Sequence, residues 1–309
     1  MNKQKSGLFS RNSILIAVLI SLVYLINSFF LIGFKPVQVV LTATFNICFF
    51  LSPGTRKFII GFSIFIVYWT LFDYMKAFPN YTINTLHIQE LHDTERVLFG
   101  VPYFNKIITP NEYWLQNGST LLDIVSGIFY LCWIPVPLTF AAYLFYKDKA
   151  LFLQFALTFL LVNLIGFIIY YIYPAAPPWY YQMHGANFLP GTMGNTAGLH
   201  KFDDYFNIGL FRILYEMNSN VFAAMPSLHS SYPLIVVYYG IKKKLGWMNL
   251  LFVIITIGIW FAAVYTSHHY ILDVLAGIVC AVAGILIFQK ILLRSSGFRK
   301  FLDFYKSYI

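Results

Sequence analysis

The sequence predicts an all-α integral membrane protein with about eight transmembrane helices. The chain is 59% hydrophobic and only 11% charged, and its mean hydropathy is +0.68. It also contains several apolar stretches of about 17–25 residues, which is the length that crosses a bilayer. Because a soluble domain carries about 25% charged residues, a soluble globular fold is excluded. The aromatic content of 20% suits the interfacial Trp and Tyr belts of membrane proteins.

Eight apolar stretches are the predicted spans. They cover residues 13–34, 36–53, 57–75, 120–146, 150–173, 226–241, 247–267 and 270–293. The second and the sixth are short for a span. The first has the position of a signal peptide, but its apolar run is long and no small-residue cleavage site follows, so we expect a retained helix. Residues 76–119 and 174–225 are polar and are predicted to be long loops.

The basic residues orient these spans. Alternating the eight helices places 15 of the 21 Lys and Arg residues on one side, against two acids, Asp148 and Asp303. These basic residues are Lys3, Lys5, Arg11, Arg56, Lys57, Lys147, Lys149, Lys242, Lys243, Lys244, Lys290, Arg294, Arg299, Lys300 and Lys306. The positive-inside rule predicts that this side and both termini are cytoplasmic. The basic loops then face the anionic lipid headgroups on the cytoplasmic side, which accounts for the net charge of +9. No nucleic-acid partner is expected.

Cysteine and histidine spacing predicts no metal site. Cys48, Cys132 and Cys280 lie in apolar stretches without ligand spacing and are interpreted as buried small hydrophobic residues. Histidine-rich di-iron membrane enzymes need clustered histidines. Four of the seven histidines here are instead dispersed in loops: His87, His92, His184 and His200.

Two polar segments at the ends of predicted spans share one membrane face. They are "AAMPSLHSSYP" (223–233) and "YTSHHYILDVLAG" (265–277). His269 and Asp273 are four residues apart, hence on one face of a helix. The carboxylate can accept an imidazole N–H and leave the other ring nitrogen as a nucleophile or base. A structural hydrogen bond between helices is the alternative, although an Asp inside an apolar helix is costly.

His229, 40 positions before His269, can supply the complementary proton transfer. Pro226 suits a first helical turn, whose free N–H groups favour an anion, and the hydroxyls of Ser227 and Ser230 add donors there. The segment therefore indicates a phosphate site beside two histidines, with helix capping as the alternative. His268 points about 100° away from His269 on a helix and is predicted to line the acceptor side or a helix interface.

These motifs resemble a known family. "PSLHS" followed by "HHYILD" is similar to the second and third signature motifs of the phosphatidic acid phosphatase type 2 superfamily, Pro-Ser-Gly-His and Ser-Arg-x5-His-x3-Asp. The chain departs from them because Leu228 replaces the Gly, Ala263 and Ala262 replace the Arg and Ser, and no Arg-Pro occurs. With "YPAAPPWYYQMHG" (173–185) and "AGLHKFDDYF" (197–206), residues 120–290 resemble the inositol phosphorylceramide synthase branch.

The resemblance implies a metal-independent lipid phosphotransferase without a cofactor. His269 would attack phosphorus and form a phospho-histidine intermediate, and Asp273 would orient it. His229 would protonate the leaving diacylglycerol oxygen and then deprotonate the incoming hydroxyl. The implied partners are a phosphatidylinositol-like donor and a ceramide-like acceptor. The implied core of six helices or fewer divides the chain into an N-terminal part (1–119), a catalytic core (120–294) and a cytoplasmic tail (295–309).

Because the Arg of the family motif is absent, other residues on the outer face would have to stabilise the negative charge of the phosphoryl oxygens. Lys201 and Arg212 lie nearest in sequence and are predicted for this role, with loop or headgroup contacts as the alternative. Arg96 and Lys106 are further candidates on the same face. The aromatic run Trp179, Tyr180 and Tyr181 is predicted to wall the headgroup pocket or to anchor at the interface.

Three functions stay open at this point. A phosphotransferase is favoured, a lipid phosphate phosphatase would use water as the acceptor, and a non-enzymatic transporter or lipid-binding protein would explain the Pro-broken "YPAAPPWY" as a helix interruption. The expected location is a bacterial inner membrane, with the site facing the periplasm. A eukaryotic Golgi membrane, with the site facing the lumen, is the topologically equivalent alternative. The oligomeric state is left undetermined.

Overall fold

A computed structural model describes residues 7–216 and 220–309 of the chain, so Lys3 and Lys5 of the charge argument lie outside it. It confirms an all-α membrane protein. Six helical segments in this part of the chain are long and apolar enough to span a membrane: Arg11–Ile32, Pro53–Ala77, Thr120–Lys147, Lys149–Ile172, Met248–Tyr265 and Ile271–Arg294. Pro36–Leu51 is apolar but shorter, and Leu228–Lys242 has 15 residues. These two helices correspond to the stretches predicted to be short.

The helices of the first half are α1 (Arg11–Ile32), α2 (Pro36–Leu51), α3 (Pro53–Tyr74), α4 (Gln89–Phe99), α5 (Pro110–Gln116), α6 (Thr120–Leu131), α7 (Pro135–Lys147) and α8 (Lys149–Ile172). Those of the second half are α9 (Pro178–His184), α10 (His200–Phe206), α11 (Leu210–Glu216), α12 (Leu228–Lys242), α13 (Met248–Tyr265), α14 (Ile271–Lys290) and α15 (Ser296–Lys306). Short 3-10 turns cover Met75–Ala77, Asn80–Thr82, Ala197–Leu199 and Leu292–Arg294. One antiparallel hairpin pairs β1 (Val101–Tyr103) with β2 (Lys106–Ile108).

Proline and capping residues set several helix boundaries. The stretch 120–146, predicted as one helix, is divided into α6 and α7 between Leu131 and Pro135. Pro135 has no backbone N–H and so cannot donate the helical hydrogen bond to the carbonyl four residues earlier. Ser52 caps α3 by accepting the N–H of Thr55 at 3.1 Å, and Asp148 caps α8 through the N–H of Leu151.

Helix α8 lies at the centre of the bundle, packed against α3, α7, α12 and α14. Polar side chains between these helices satisfy one another, as an apolar environment requires. The Tyr232 hydroxyl donates to Asn163 at 2.6 Å and lies 3.0 Å from the Tyr68 hydroxyl. This contact ties α3, from the N-terminal part, to the helices of the core.

The start of α12 is pressed closely against α14. A Cβ at Gly277 would overlap the carbonyl oxygen of Ser227, so the glycine permits this approach. The Ser231 hydroxyl donates to the Gly277 carbonyl at 2.7 Å, and the Ser227 N–H donates to the Asp273 carbonyl at 2.9 Å. The two polar segments identified in the sequence are therefore joined through their backbones.

The two stretches predicted as long loops contain short helices. Residues 76–119 include α4, the hairpin and α5, and residues 174–225 include α9, α10 and α11. The buried Asn80 amide donates to the Tyr170 and Phe222 carbonyls at 2.8 and 2.9 Å, which holds the first stretch against the second. Together they form a folded cap at the ends of the membrane helices.

Candidate active site

Three predicted residues meet beneath this cap. His229 lies in the first turn of α12, His269 just before α14, and Asp273 in the first turn of α14. His229 Nδ1 is 3.1 Å from His269 Nε2, and His269 Nδ1 is 3.4 Å from Asp273 Oδ2. The order is therefore carboxylate, imidazole, imidazole, with one nitrogen of His269 facing each neighbour.

Asp273 has a fixed orientation. It is fully buried, and its Oδ2 also accepts the backbone N–H of Tyr270 at 2.9 Å. The separation of 3.4 Å from His269 is slightly longer than an ideal hydrogen bond. Because a carboxylate can only accept, a proton on His269 is favoured at Nδ1, which leaves the lone pair on Nε2 facing His229.

The His229 ring contacts aromatic residues at the end of α6 and in the segment that joins α6 and α7. The Tyr130 hydroxyl lies 3.4 Å from His229 Nδ1, and the Tyr215 hydroxyl donates to Tyr130 at 3.3 Å. The Trp133 ring meets the imidazole edge to face at 4.5 Å. Tyr130 is not predictable from the sequence, since it lies in an apolar, aromatic-rich stretch and contacts His229 across 99 residues.

Two buried polar residues of the cap support the loop that carries His269. The Asn111 amide donates to the Val264 and His269 carbonyls at 2.8 and 2.9 Å. The Glu95 carboxylate accepts the N–H groups of Ile271 and Leu272 at 2.9 and 3.1 Å. Glu95 thus caps α14, as a negative charge at a helix N-terminus should. These roles are not visible in the sequence because the partners lie more than 150 residues away.

Burial raises the pKa of Glu95 to about 7, against the lowering effect of the two N–H groups. A carboxyl whose folded pKa is raised binds more protons in the folded state, so its contribution to stability is present below the unfolded pKa of 4.5 and lost towards pH 7. Relative to Glu95→Gln, we expect the wild type to lose about 3 kcal/mol of unfolding free energy across this range, because each pKa unit is worth about 1.4 kcal/mol. Thermal unfolding of both proteins from pH 4.5 to 7.5 measures this loss. A difference in unfolding free energy between the two proteins that stayed constant with pH would contradict the prediction.

A cavity of about 460 Å³ opens beside His229 and His269. Its wall is largely aromatic and apolar and includes Tyr68, Phe72, Trp133, Tyr170, Trp179, Phe211, Leu214, Tyr215, Leu228 and Tyr232. The wall also includes the charged residues Lys35, Asp73 and Lys76. The cavity suits a ligand with a polar, charged portion and a large apolar portion.

Two further predicted residues lie on this cavity. His268 lines it, and its Nδ1 is 3.0 Å from the Thr266 hydroxyl. Trp179 also lines it. Tyr180 does not, because its buried hydroxyl donates to the Asn187 carbonyl and accepts the Leu189 N–H, both at 2.8 Å. Tyr180 therefore holds the neighbouring loop.

The serines predicted to bind phosphate are buried away from the cavity. Ser227 and Ser230 have no exposed surface, and the Ser230 hydroxyl donates to that of Ser227 at 3.1 Å. The close approach of Gly277 explains their burial, since it packs α14 directly against this turn. The structure therefore gives both serines a packing contact at the start of α12.

The predicted cations also lie outside the cavity wall. Lys201 Nζ is 3.7 Å from Asp123, and Arg96 is paired with Asp93 at 2.9 Å. Arg212 is exposed and donates its backbone N–H to Asp203, while Lys106 is exposed on β2. Among residues 7–216 and 220–309, no group of three or more His, Cys, Asp or Glu side chains is arranged to hold a metal ion.

A membrane-helix bundle with paired histidines over an apolar cavity defines a class of membrane-embedded phosphoryl-transfer proteins. The chain belongs to the PAP2 superfamily, whose family model matches residues 90–287. It is 41% identical over 302 residues to the phosphoinositol dihydroceramide synthase of Bacteroides thetaiotaomicron, an alignment that covers 97% of this chain and 99% of the relative. The resemblance inferred from the motifs is confirmed.

Fungal relatives are more distant. The inositol phosphorylceramide synthase of Candida albicans is 27% identical over 235 residues, which is 74% of this chain and 47% of that protein. The inositol phosphorylceramide synthase catalytic subunit of Saccharomyces cerevisiae is 28% identical over 246 residues, which is 78% of this chain and 58% of that subunit. The chain thus spans about half the length of these fungal proteins. No solved structure matches it.

Proposed function

We propose that this protein transfers phosphoinositol from a phosphatidylinositol-like glycerophospholipid to a ceramide-like alcohol. The observation that carries the proposal is the contact of 3.1 Å between His229 and His269 on a largely apolar cavity within the membrane helices. Such a cavity suits two lipid substrates. The identity of the transferred group rests on the bacterial relative, which aligns over nearly its whole length and is named a phosphoinositol dihydroceramide synthase.

In the first step, His269 Nε2 attacks the phosphorus of the donor. A P–N bond forms, the P–O bond to diacylglycerol breaks, and protonated His229 gives its proton to the leaving oxygen. In the second step, neutral His229 takes the proton of the acceptor hydroxyl, whose oxygen attacks phosphorus and displaces His269. The proton count and the charge on both histidines return to their starting values.

The short distance between the two histidines places one requirement on these two reaction steps. In-line displacement puts the attacking nitrogen and the leaving oxygen on opposite sides of phosphorus. A phosphoryl group does not fit between ring nitrogens that are 3.1 Å apart. The donor therefore has to break this hydrogen bond and separate the two rings. His229 is only half-buried, whereas Asp273 is fixed, so we expect His229 to be the ring that moves.

A product assay on purified protein tests the proposed function. The protein is supplied with phosphatidylinositol carrying deuterated inositol together with ceramide, and the lipids are analysed by mass spectrometry. The expected products are labelled phosphoinositol ceramide and diacylglycerol in equal amounts. Release of labelled inositol phosphate into water without any phosphorylated sphingolipid would overturn the transferase and favour a lipid phosphatase. Binding of both lipids with neither reaction would favour a transporter or lipid-binding protein.

We further propose that the site faces the periplasm of a bacterial inner membrane and that both termini are cytoplasmic. The charge distribution among the predicted loops supports this orientation. In a background with the three native cysteines replaced, we expect Lys106→Cys to react with a membrane-impermeant maleimide in spheroplasts. Lys300→Cys should react only after lysis. The opposite labelling pattern would reverse the orientation.

A further inference from the structure

The transferred group is anionic, and the site described so far contains no permanent cation. The positions that hold Arg and Ser in the general family motif are Ala263 and Ala262, both without exposed surface. Lys201, Arg212, Arg96 and Lys106 do not line the cavity. A phosphodiester and its transition state carry negative charge on the non-bridging oxygens, which fixed positive charges stabilise. A positive charge on the cavity wall itself would meet this need.

Of the residues that the structure describes around this cavity, the basic ones besides histidine are Lys35 and Lys76. Lys35 lies between α1 and α2, and Lys76 follows α3 in a 3-10 turn. Lys76 Nζ is 2.5 Å from Asp73 Oδ1, and Asp73 lies on the same cavity. Two lysines and one aspartate leave a formal charge of +1, which complements one phosphodiester.

The surroundings of these lysines indicate a lipid rather than a free phosphate. Val37 and Trp69 line the same cavity and are 51% and 41% exposed on α2 and α3, helices with largely apolar surfaces. In a membrane these side chains face acyl chains. The cavity wall thus joins the histidines to lipid-exposed side chains at the start of α2 and the end of α3, beside which the two lysines lie.

We propose that Lys35 and Lys76 form a binding subsite for the phosphodiester of an anionic glycerophospholipid, which enters beside the start of α2 and the end of α3. The proposal rests on the proposed function, for which this lipid is the donor. Both lysines lie outside residues 90–287, the part that matches the family model. The N-terminal helices thereby contribute to substrate binding, and the contact between Tyr68 and Tyr232 keeps them against the core.

Binding measured without turnover tests the subsite. In a His269→Ala background, fluorescent phosphatidylinositol is titrated into protein in nanodiscs of neutral lipid. We expect Lys35→Gln and Lys76→Gln each to raise Kd about tenfold, and the double variant more, because hydrogen bonds to charged groups carry much of such binding. Lys35→Arg and Lys76→Arg should retain affinity. Lys147→Gln, an exposed lysine at the end of α7 that does not line the cavity, is the matched control.

Competition separates the two sources of phosphate. Inorganic phosphate or inositol phosphate should displace the labelled lipid only at concentrations far above its Kd, since neither occupies the apolar part of the cavity. Displacement at concentrations near that Kd would overturn the lipid assignment in favour of a soluble anion. An unchanged Kd in the double variant would overturn the subsite altogether.

Kinetics of the active protein give a second readout. The lysine substitutions should raise the KM for phosphatidylinositol and leave the KM for ceramide within twofold. An equal rise in both would indicate a damaged cavity and contradict a donor subsite. If the product assay showed no transfer while lipid binding still depended on both lysines, the proposed reaction would fail and the subsite would stand.

Discussion

His269→Ala is expected to lower turnover at least about 10⁴-fold, because it removes the atom that forms the bond to phosphorus, and loss of a nucleophile leaves only binding and electrostatic contributions. The fold should persist. The bonds that hold this loop involve the backbone of His269, whose N–H donates to Ala263 at 3.0 Å and whose carbonyl accepts from Asn111. Formation of phosphoinositol ceramide, measured by lipid mass spectrometry, provides the rate.

The control for this variant is His200→Ala. His200 is exposed, and its ring Nδ1 lies 2.6 Å from a local backbone carbonyl, that of Ala197. We expect it to retain activity within twofold. If His269→Ala kept more than a hundredth of the wild-type rate with a normal unfolding transition, the nucleophile would have to be another group.

His229→Ala is expected to lower turnover about 10³–10⁴-fold, near the upper end of what a general acid–base group contributes. Both half-reactions lose their proton carrier, so the rate of diacylglycerol release and the rate of transfer to ceramide should both fall. The affinity for phosphatidylinositol should change little, since the charged subsite is formed by Lys35 and Lys76. Equilibrium binding and single-turnover kinetics of the same variant separate the two effects. A variant that lost affinity but kept its single-turnover rate would show a binding role instead.

The predictable parts of this site are those encoded by local spacing. His269 and Asp273 are one helical turn apart, and the motif that contains His229 begins a helix, so their types and positions indicated the chemistry. Alternation of the spans then put both motifs on one membrane face. The structure places these three side chains in contact, and their catalytic roles stay predictions that the variants above test.

The residues around them depend on contacts that local sequence does not encode. The position of Lys201 near the motifs in the chain predicts a role in the site, but folding places it beside Asp123. Lys35 and Lys76 are far from the motifs in sequence and nevertheless line the cavity. The sequence predicts Ser227 as a phosphate ligand, but the close approach of Gly277 buries it against α14.

The fold, too, is only partly predictable from local sequence. Hydropathy located the membrane helices because burial in lipid requires long apolar stretches. It did not separate α6 from α7, since Pro135 interrupts a stretch that stays apolar throughout. It also missed the short helices of the cap, whose polar surfaces resemble loops. The division of the chain after residue 119 stays a prediction.

The central claim is a covalent phosphoinositol intermediate on His269, and withholding the acceptor tests it most directly. Wild-type protein mixed with phosphatidylinositol alone should release diacylglycerol in a burst equal to the amount of enzyme. After an alkaline quench, which preserves a P–N bond, mass spectrometry should find phosphoinositol on the peptide that contains His269, and addition of ceramide before the quench should remove it. Absence of both the burst and the adduct, in protein that makes product once ceramide is added, would contradict the account.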